Sequence, residues 1–557
     1  MTFDESFDFV IVGSGGGSMC AALVVKAMGL EPLILEKTDL FGGTTAKSGG
    51  IMWIPNNRFM KEQGVEDSTE QAMTYMDAVV GDHNDTPGAS RERRLAYVTQ
   101  APRMVDFLVE QGIRLKRHPY WPDYYSDRPG AVQSGRTVFA ELFDGSVLGE
   151  NFDKLRPNFV PVPVKSEEAW DIGLFKTTWI GKWTLLKVGL RMMLAKLSGA
   201  KWLGSGAALQ GRMFHRALQA RVDMRRNAGV EQLLTDDGGR VCGVVARIDG
   251  KEVRIGARHG VLVNAGGFAR NQEMRDKYQP GTSAEWSATN PGDTGEMIRE
   301  MMRHGAAVAQ MEEMVGNQAA FPPENPDGIA LVVSEIAKPN SVVVDQSGVR
   351  YISENQSYMS FCQGMLERNK TVPAVPSWLV LDSEYMRKYM VTGTLPGSKK
   401  PASWHGEGWL KKGETIEELA AACGMEPATL KATVDRFNGF ARSGKDEDFG
   451  RGDTAYYRFL GDKGNSPSPA MGPVEKGPFY AYKFYPGDVG TYGGVVTDTD
   501  ARVLREDGTV IEGLYATGIS TASVMGRAYP GAGASVGPSF VWGYVAANHA
   551  MAAAKAG

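Results

Sequence analysis

The sequence has few of the residues that build disulfide frameworks and metal centres. Its four cysteines are far apart and form no Cys-X-X-Cys pair, which argues against a disulfide scaffold or a zinc site and suits a reducing compartment. The seven histidines show no metal-ligand spacing, and the His-Glu-X-X-His, P-loop and Gly-X-Ser-X-Gly motifs are absent. We therefore expect no metal ion and no hydrolase chemistry of those types.

Neither a surplus of one charge nor a long apolar run is present. There are 61 lysines and arginines against 65 aspartates and glutamates, so nothing favours nucleic acid as a partner, because phosphate backbones select a concentrated basic surface. No uncharged apolar run reaches the roughly 18 to 20 residues that span a bilayer, and the first residues are acidic rather than a basic signal region. These absences predict a cytoplasmic protein, and 557 residues suit two or three domains.

The chain opens with the pattern of a dinucleotide-binding βαβ unit. An apolar strand at 7–12 is followed by the glycine turn GSGGGS, an alanine-rich helix and a second strand at 32–36. Gly13 permits the tight turn, Gly15 lets the backbone approach a pyrophosphate, and the helix start offers free N–H groups to the anion. Glu36, 21 residues after Gly15, ends the second strand, where a carboxylate can bind a ribose diol.

The glycine turn alone does not distinguish an FAD site from an NAD site, but three further features favour FAD. The segment FGGTTAKSGGI (41–51) presents backbone and hydroxyl donors, the strand and GG turn at 260–267 return to the same cofactor, and a helix beginning near Ser535 can stabilise charge on a reduced flavin. No histidine or cysteine is placed for attachment, so we expect non-covalent FAD. The predicted cofactor-binding residues are Gly13, Ser14, Gly15, Gly16, Gly17, Glu36, Lys37, Gly43, Thr44, Thr45, Ser48, Gly49, Gly50, Val230, Ala265, Gly266, Gly518, Ser535 and Val536.

The rest of the chain indicates a dinucleotide fold that is interrupted by another domain. Strand-like pieces that end in glycine recur only at 260–267 and 513–518, and the region between them mixes turns with a short strand at 341–344 and a helical pattern at 415–442. This order predicts an α/β protein. Its parts are a Rossmann-like FAD-binding domain formed by 1–285 and 486–557, and an inserted α+β catalytic domain formed by 286–485.

Six motifs spread along the chain point to one flavoprotein family. They are LEKTDLFGGTTAKSGG (35–50), WPDYY (121–125), NQSYMSF (355–361), GPFYA (477–481), DVGTYGGVVTD (488–498) and GRAYPGAG (526–533). Together they resemble the 3-ketosteroid Δ1-dehydrogenases of the succinate dehydrogenase/fumarate reductase-like superfamily, nearly from end to end. The resemblance implies an FAD-dependent enzyme that introduces a C1–C2 double bond into a 3-oxosteroid and passes the electrons to an external acceptor such as a quinone.

The resemblance also implies roles for individual residues. Tyr529 and Gly533 match the tyrosine and glycine that hold the C3 carbonyl of the substrate. Tyr358 matches the base that takes the C2 proton, and Tyr124 matches the tyrosine that supports this base. Trp121 falls where the family has an aromatic wall of the substrate site.

A tyrosine base has consequences for the pH dependence. A free phenol titrates near pH 10, and each unit of pKa corresponds to about 1.4 kcal/mol. A hydrogen bond from Tyr124 to Tyr358 would favour the phenolate of Tyr358, and we predict an activity optimum on the alkaline side. Tyr125 and Tyr351 lie close to Tyr124 and Tyr358 in the sequence and are alternatives for the same two roles. The register of the motifs favours Tyr124 and Tyr358.

Residues 165–201 form a basic aromatic segment, which we interpret as an insertion of about 165–205 in the first domain. The segment carries seven lysines and arginines against three acids and includes Trp170, Trp179 and Trp183. Its cations do not gather on one face of a helical wheel. Tryptophans interspersed with cations suit a lipid headgroup boundary, so peripheral contact with the inner face of the cell membrane is one hypothesis. A surface subdomain or a subunit interface fits the same residues.

Other functions stay open at this point. A 3-ketosteroid Δ4-dehydrogenase would belong to the same superfamily but should lack the YPGxG arrangement, and a fumarate-reductase-like oxidoreductase would need an Arg/His cluster for two carboxylates. A non-catalytic, sterol-binding flavoprotein of the membrane surface is an alternative of another class. The tyrosines Tyr529, Tyr358 and Tyr124 argue against it, because binding alone needs no base.

Overall fold

The computed structural model describes residues 2–83, 85–158, 162–325, 328–406 and 408–556. The strands are β1 Glu5–Phe7, β2 Phe9–Val12, β3 Pro32–Leu35, β4 Ile51–Trp53, β5 Leu115–Arg117, β6 Thr137–Ala140, β7 Phe143–Asp144, β8 Trp202–Leu203, β9 Asp223–Arg225, β10 Ala228–Thr235, β11 Val241–Ile248, β12 Lys251–Ala257, β13 Val261–Val263, β14 Val308–Ala309, β15 Met314–Ala320, β16 Ala330–Leu331, β17 Ser341–Val344, β18 Ser377–Leu381, β19 Lys411–Gly413, β20 Phe479–Thr491, β21 Gly494–Val495, β22 Arg502–Leu504 and β23 Val510–Ala516. The α-helices are α1 Gly16–Ala27, α2 Gly43–Lys47, α3 Arg58–Glu62, α4 Thr69–Val79, α5 Arg91–Glu110, α6 Ser166–Ile172, α7 Trp179–Ser198, α8 Ser205–Gln219, α9 Gln272–Tyr278, α10 Glu296–Arg303, α11 Val333–Ile336, α12 Tyr358–Asn369, α13 Ser383–Lys388, α14 Ala402–Gly406, α15 Ile416–Cys423, α16 Pro427–Ser443, α17 Ala455–Leu460 and α18 Val536–Ala556.

A six-stranded sheet carries the predicted dinucleotide fold. Its strand order is β22-β23-β13-β2-β3-β9, and every pair except β22–β23 is parallel. The sequence FVIV of β2 is buried along its whole length, as expected of a parallel strand that is covered on both faces. The predicted opening βαβ unit is thus confirmed, and the structure pairs its first strand with the late strand β13, which in turn pairs with β23. β1 joins a separate sheet with β12, β11 and β10.

The first and last helices cross at very short distance beside this sheet. A Cβ atom on Gly17 of α1 would lie 2.2 Å from the backbone oxygen of Ser539, and one on Gly543 of α18 would lie 2.3 Å from the oxygen of Gly17. Only glycine is tolerated at such a crossing. Ser18, the third small residue of the turn, accepts a hydrogen bond from Asn264 Nδ2 (2.9 Å). This crossing brings the beginnings of α1 and α18 to the same edge of the sheet.

The inserted domain is built on an antiparallel sheet, in agreement with the predicted α+β type. Its order is β16-β15-β20-β18-β17, with β19 added beside β20. β20 runs from Phe479 to Thr491, so the predicted border at 485 falls inside a strand. The helical pattern predicted at 415–442 forms two helices, α15 and α16, because Gly424 ends α15 in the left-handed conformation (φ 77°).

Helix α12 lies directly against this sheet, and Tyr358 is its first residue. A Cβ atom on Gly316 of β15 would lie 2.5 Å from Cys362 Cβ of α12. The helix is therefore held close to the strand, and the position of Tyr358 is fixed relative to the sheet.

A buried charge network fixes the loop that carries Tyr124. Arg136 is fully buried and donates to Asp67 (2.7 and 2.8 Å) and to Asp123 (2.5 Å). Asp123 also accepts hydrogen bonds from Trp53 Nε1 (2.8 Å) and from the backbone N–H of Val132 (2.9 Å). The residue that precedes Tyr124 is therefore bound from three directions.

We expect Asp123→Ala to reduce the free energy of unfolding by about 3 kcal/mol, because breaking a buried ion pair leaves a buried charge with too few partners. Urea denaturation of the two proteins measures the change. The matched control is Glu141→Ala, which removes an ion pair with the exposed Arg114 and should change the free energy by less than about 1 kcal/mol. An equal loss in the two variants would contradict this account of the network.

Candidate active site

One cavity of about 470 Å³ runs between the dinucleotide fold and the inserted domain. This volume falls within the roughly 300–1,000 Å³ of a typical ligand pocket, and the lining extends from Gly13 in the first glycine turn to Tyr529 and Val536 late in the chain. Most of the predicted site residues line it: Gly13, Ser14, Gly15, Glu36, Lys37, Gly43, Thr44, Thr45, Ser48, Gly49, Trp121, Tyr124, Val230, Ala265, Gly266, Tyr358, Gly518, Tyr529, Gly533, Ser535 and Val536.

Three predicted cofactor-binding residues do not line the cavity. A Cβ atom on Gly16 would meet the ring of Phe540 at 2.0 Å, and one on Gly50 would meet the backbone of Ser205 at 2.3 Å. Gly17 is the residue of the α1–α18 crossing. In the structure these three glycines permit close packing of neighbouring elements.

The part of the cavity beside the start of α1 has the geometry of an adenosine and pyrophosphate site. Gly13 has a φ of 93°, and a Cβ atom there would lie 2.2 Å from the backbone oxygen of Asn264. Ser14 Oγ donates to Glu36 Oε2 (2.6 Å) and accepts from the backbone N–H of Gly42 (2.9 Å). The carboxylate of Glu36 is thus held beside the start of α1, where N–H groups are free to bind an anion.

A second layer of cofactor-facing residues comes from segment 288–296, which the sequence patterns did not single out. Thr44 Oγ1 accepts from the backbone N–H (3.1 Å) and the side chain (2.9 Å) of Asn290 and donates to Asp293 Oδ2 (3.3 Å). Burial raises the pKa of Asp293 to about 7. Lys37 binds Glu296 and Thr294 Oγ1, which joins the end of β3 to α10.

These residues fit FAD. A helix start for the pyrophosphate and a carboxylate for the ribose lie at one end of the cavity, and the start of α18 (Ser535, Val536) lies along it, where a helix N-terminus can stabilise charge on the pyrimidine edge of a reduced flavin. Within the described residues, the lining includes no histidine or cysteine, which agrees with a cofactor held without a covalent bond.

Another part of the cavity is lined by a cluster of four tyrosines, of which Tyr358 is half-buried and the other three are buried. The ring centroids of Tyr358 and Tyr529 are 4.9 Å apart, and those of Tyr124 lie 5.5 Å from Tyr358 and 5.8 Å from Tyr529. Tyr456, at the start of α17, stacks on Tyr124 at 4.1 Å. The structure therefore brings together the three predicted tyrosines and adds a fourth, which no motif indicated.

Burial dominates the acidity of these phenols. It raises the pKa values of Tyr124, Tyr358 and Tyr456. Hydrogen bonding with Tyr358 and Tyr456 lowers the pKa of Tyr124 against this effect. For Tyr358, by contrast, proximity to Tyr124 adds to the rise, so the expected lowering of the Tyr358 pKa by a hydrogen bond from Tyr124 is not found.

Tyr529 has the most polar surroundings of the cluster. Burial raises its pKa, whereas hydrogen bonds from Tyr358 and from the backbone N–H groups of Ser535 and Gly533 lower it. Gly533 has a φ of 92°, and a Cβ atom there would lie 2.4 Å from the backbone oxygen of Ile51. The N–H of Gly533 therefore lies next to the phenol oxygen of Tyr529, and both residues line the cavity.

The neighbouring tyrosines have other partners. Tyr125 Oη is bonded to Ser360 Oγ (2.8 Å) and Tyr351 Oη to Ser377 Oγ (2.7 Å). Neither is among the described residues that line the cavity. Their positions outside the cavity lining favour Tyr124 and Tyr358 as the residues that match the family motifs.

Comparison with known proteins identifies the family. A family model described as an FAD binding domain matches residues 8–536. The chain is 37% identical to 3-oxosteroid 1-dehydrogenase of Mycolicibacterium smegmatis, over 99% of this chain and 98% of that protein. Its fold matches the crystal structure of 3-ketosteroid delta1-dehydrogenase from Sterolibacterium denitrificans in complex with 1,4-androstadiene-3,17-dione, with a TM-score of 0.92, 36% identity and coverage of 99% and 100% of the two chains. The chain belongs to the 3-ketosteroid Δ1-dehydrogenase family.

Membership in this family makes the chain a flavin-dependent oxidoreductase with FAD as its cofactor. A further relative, 4-oxocyclohexanecarboxylate 2-dehydrogenase of Sinomonas cyclohexanicum, is 35% identical over 97% of this chain and 92% of that protein. Its name describes a single-ring ketone. Ring ketones of two different sizes thus occur in the names of proteins similar to this chain.

We expect Glu36→Ala to weaken FAD binding by at least about tenfold, because a hydrogen bond to a charged group contributes about 1.5–3 kcal/mol. Titration of the apoprotein with FAD, followed by flavin fluorescence, measures the dissociation constant. Glu31→Ala is the matched control, since Glu31 lies at the other end of β3 in an exposed pair with Lys26. Unchanged affinity in Glu36→Ala would show that this carboxylate does not bind the ribose.

Proposed function

We propose that the chain catalyses the FAD-dependent 1,2-dehydrogenation of 3-oxosteroids. The observation that carries the proposal is the cluster of buried phenols, in which Tyr358 and Tyr529 face one cavity beside the start of α18. The substrate loses a proton from C2 and a hydride from C1, and a C1–C2 double bond forms in ring A. An external acceptor such as a quinone then takes the electrons.

Tyr529 and Gly533 hold the ketone oxygen. The phenol O–H and the backbone N–H donate to the C3 oxygen, and this stabilises the enolate character that develops as the C2 proton leaves. One such preorganised donor is typically worth about 3–4 kcal/mol at the transition state. The left-handed conformation of Gly533 and its contact with Ile51 keep the N–H in place without reorganisation.

Tyr358 takes the C2 proton. Its phenolate is disfavoured by burial, so the base form is scarce at neutral pH and becomes more common as the pH rises. Tyr124, whose ring centroid lies 5.5 Å from that of Tyr358, keeps the ring in position. Bound FAD supplies the acceptor for the C1 hydride at its N5 position.

The cavity lining around the four tyrosines favours an apolar ketone over a carboxylated one. Among the described residues of the cavity, the cationic side chains are Lys37 and Lys47, which belong to the segments predicted to bind FAD. Residues at the tyrosine end are aromatic or aliphatic, including Trp121, Trp170 and Leu460. A carboxylate or dicarboxylate substrate would lie there without a cationic partner, at a high cost in desolvation.

We expect Tyr529→Phe to lower kcat by about 100- to 1,000-fold, because one donor to the oxyanion is lost. Anaerobic mixing with a 3-oxo-4-ene steroid, followed through the bleaching of the flavin absorbance, measures the rate. In the same assay the wild-type rate should rise from about pH 6 to pH 9, since the pKa of Tyr358 is raised and the phenolate fraction grows with pH.

Tyr457→Phe is the control for this series. Tyr457 follows Tyr456 on α17 but is not among the described residues that line the cavity, so its rate should stay within about twofold of wild type. Full turnover in Tyr529→Phe, or a flat pH profile, would overturn the proposed chemistry.

We also propose that the enzyme binds peripherally to the inner face of the cell membrane through α7. Only a narrow stripe of this helix faces the protein, with Gly181, Thr184 and Val188 buried. Large apolar side chains cover most of the remaining surface, and Trp179 and Leu197 are 84% and 78% exposed. Contiguous exposed apolar surface of this kind marks an interaction site.

The charges of α7 favour an anionic lipid surface as its partner. Residues 178–201 contain no aspartate or glutamate, and the ammonium groups of Lys182 and Lys187 lie 4.5 and 5.6 Å from the rings of Trp179 and Trp183. Aromatic rings and lysines on one helix suit the boundary between headgroups and acyl chains. Among the described residues, no helix has the length and apolarity needed to span a membrane.

We expect the triple variant W179S/W183S/L197S to bind anionic phospholipid vesicles at least tenfold more weakly, because burying one such side chain contributes about 1.5–3 kcal/mol. Co-sedimentation with vesicles of phosphatidylglycerol and phosphatidylcholine measures the partition. The control is Tyr120→Ser, which removes a 74% exposed aromatic side chain outside the insertion. Equal partition of all three proteins would favour a subdomain or subunit interface instead.

A further inference from the structure

A second cavity adjoins the active-site cavity and has no part in the ketone chemistry proposed above. Its volume is about 470 Å³, which is a common size for a ligand site. The half-buried aromatic residues Trp286, Phe321 and Tyr485 line it. The ring centroid of Tyr485 lies 5.0 Å from that of Trp286 and 5.4 Å from that of Phe321. Rings at these distances form a surface against which another planar ring can pack.

The wall between the two cavities is thin. Ser287 lines the second cavity, and the next residue, Ala288, lines the active-site cavity. On a neighbouring segment Ile329 lines the second cavity and Leu331 lines the first. Ala288 and Ile329 belong to one buried apolar cluster, against which Leu331 packs. At Ser287 the two cavities are therefore separated by consecutive residues, whose Cα atoms are about 3.8 Å apart.

The segment that forms this wall also contacts a predicted FAD-binding residue. Asn290 lines the active-site cavity and donates two hydrogen bonds to Thr44 Oγ1 (2.9 and 3.1 Å). The backbone N–H of Ala288 and the hydroxyl of Ser287 both donate to Asp488 of β20, each at 2.8 Å. The wall is thus held firmly against the sheet, and the second cavity adjoins the part of the active-site cavity that is predicted to hold FAD.

The polar groups of the second cavity suit a neutral ring that carries carbonyl oxygens. Among the described residues, neither the indole N–H of Trp286 nor the phenol of Tyr485 has a hydrogen-bond partner, so both can donate to a carbonyl oxygen. Arg270 lines the same cavity, and its guanidinium donates only to backbone oxygens within the described part of the chain. A cation placed there stabilises negative charge that arrives with electrons. The exposed carboxylate of Glu285 disfavours a ligand that enters as an anion.

We propose that the second cavity binds the quinone that accepts the electrons of the reaction. The proposal rests on the proposed function, because each C1–C2 double bond that forms releases two electrons and two protons from the ketone. The quinone gains two electrons and two protons and leaves as the quinol, so ketone and quinone give unsaturated ketone and quinol. Since the ketone and the quinone occupy different cavities, neither has to leave before the other binds.

Tyr485→Ala tests this site through binding. The probe is menadione, a soluble naphthoquinone, which is titrated into the FAD-loaded enzyme and followed through the quenching of tryptophan fluorescence. We expect its dissociation constant to rise about tenfold, because a packed ring and a hydroxyl donor are lost. Tyr485→Phe keeps the ring and should recover most of the affinity. The matched control is Tyr480→Ala, which removes a half-buried tyrosine of the same strand that is not among the described lining residues of either cavity.

The two half-reactions separate the roles of the two cavities. Trp286→Leu serves as a second variant, since it removes another ring of the same surface. In both variants the reoxidation of the reduced flavin by menadione should slow about tenfold. The bleaching of the flavin by a 3-oxo-4-ene steroid should stay within about twofold of wild type, because the ketone does not use this cavity. A saturating concentration of the unsaturated ketone product should leave the affinity for menadione unchanged.

Wild-type affinity for menadione in both Tyr485→Ala and Trp286→Leu, or displacement of menadione by the product, would overturn the proposal. If the ketone failed to bleach the wild-type flavin, the proposed function would fall. The fluorescence titration, and the reoxidation by menadione of flavin that has been reduced with dithionite, would still decide whether the second cavity binds the quinone.

Discussion

The close crossing of α1 and α18 is the constraint on which the site depends. Glycines at 17 and 543 let the two helices touch through their backbones, so residues more than 500 positions apart begin their helices at one edge of the sheet. The starts of both helices then lie along one cavity. The loop just before α18 carries Tyr529 and Gly533, so the same crossing also fixes where these two residues lie relative to the start of α1.

Desolvation decides what the tyrosines can do. A phenol that is buried among other phenols keeps its proton at neutral pH, because its anion has no cationic partner and little water. Tyr529 departs from this rule in part, since two backbone N–H groups and Tyr358 donate to its oxygen. An environment that stabilises negative charge on one phenol oxygen is also suited to an enolate oxygen placed beside it. Tyr358 and Tyr529 thus differ in acidity through their surroundings, although both are tyrosines.

The insertion that contains α6 and α7 contributes both to the surface of the protein and to the cavity. Its helix α7 leaves tryptophan, leucine and methionine side chains in contact with solvent, which is unfavourable for a protein free in water. Its helix α6 places Trp170 in the cavity wall. A single element therefore presents an apolar surface to solvent and also forms part of the cavity wall.

Local patterns in the sequence determined the dinucleotide fold, the FAD-binding turn and three of the four clustered tyrosines, because glycine turns, apolar strands and short motifs act over a few neighbouring residues. Tertiary structure alone decided the rest. Tyr456, Trp170 and Asp293 reach the cavity from segments without a motif, and Gly16, Gly17 and Gly50 serve packing rather than the lining of the site. The raised pKa of Tyr358 and the exposed face of α7 also depend on burial. Burial is set by contacts between distant parts of the chain, so no local pattern encodes it.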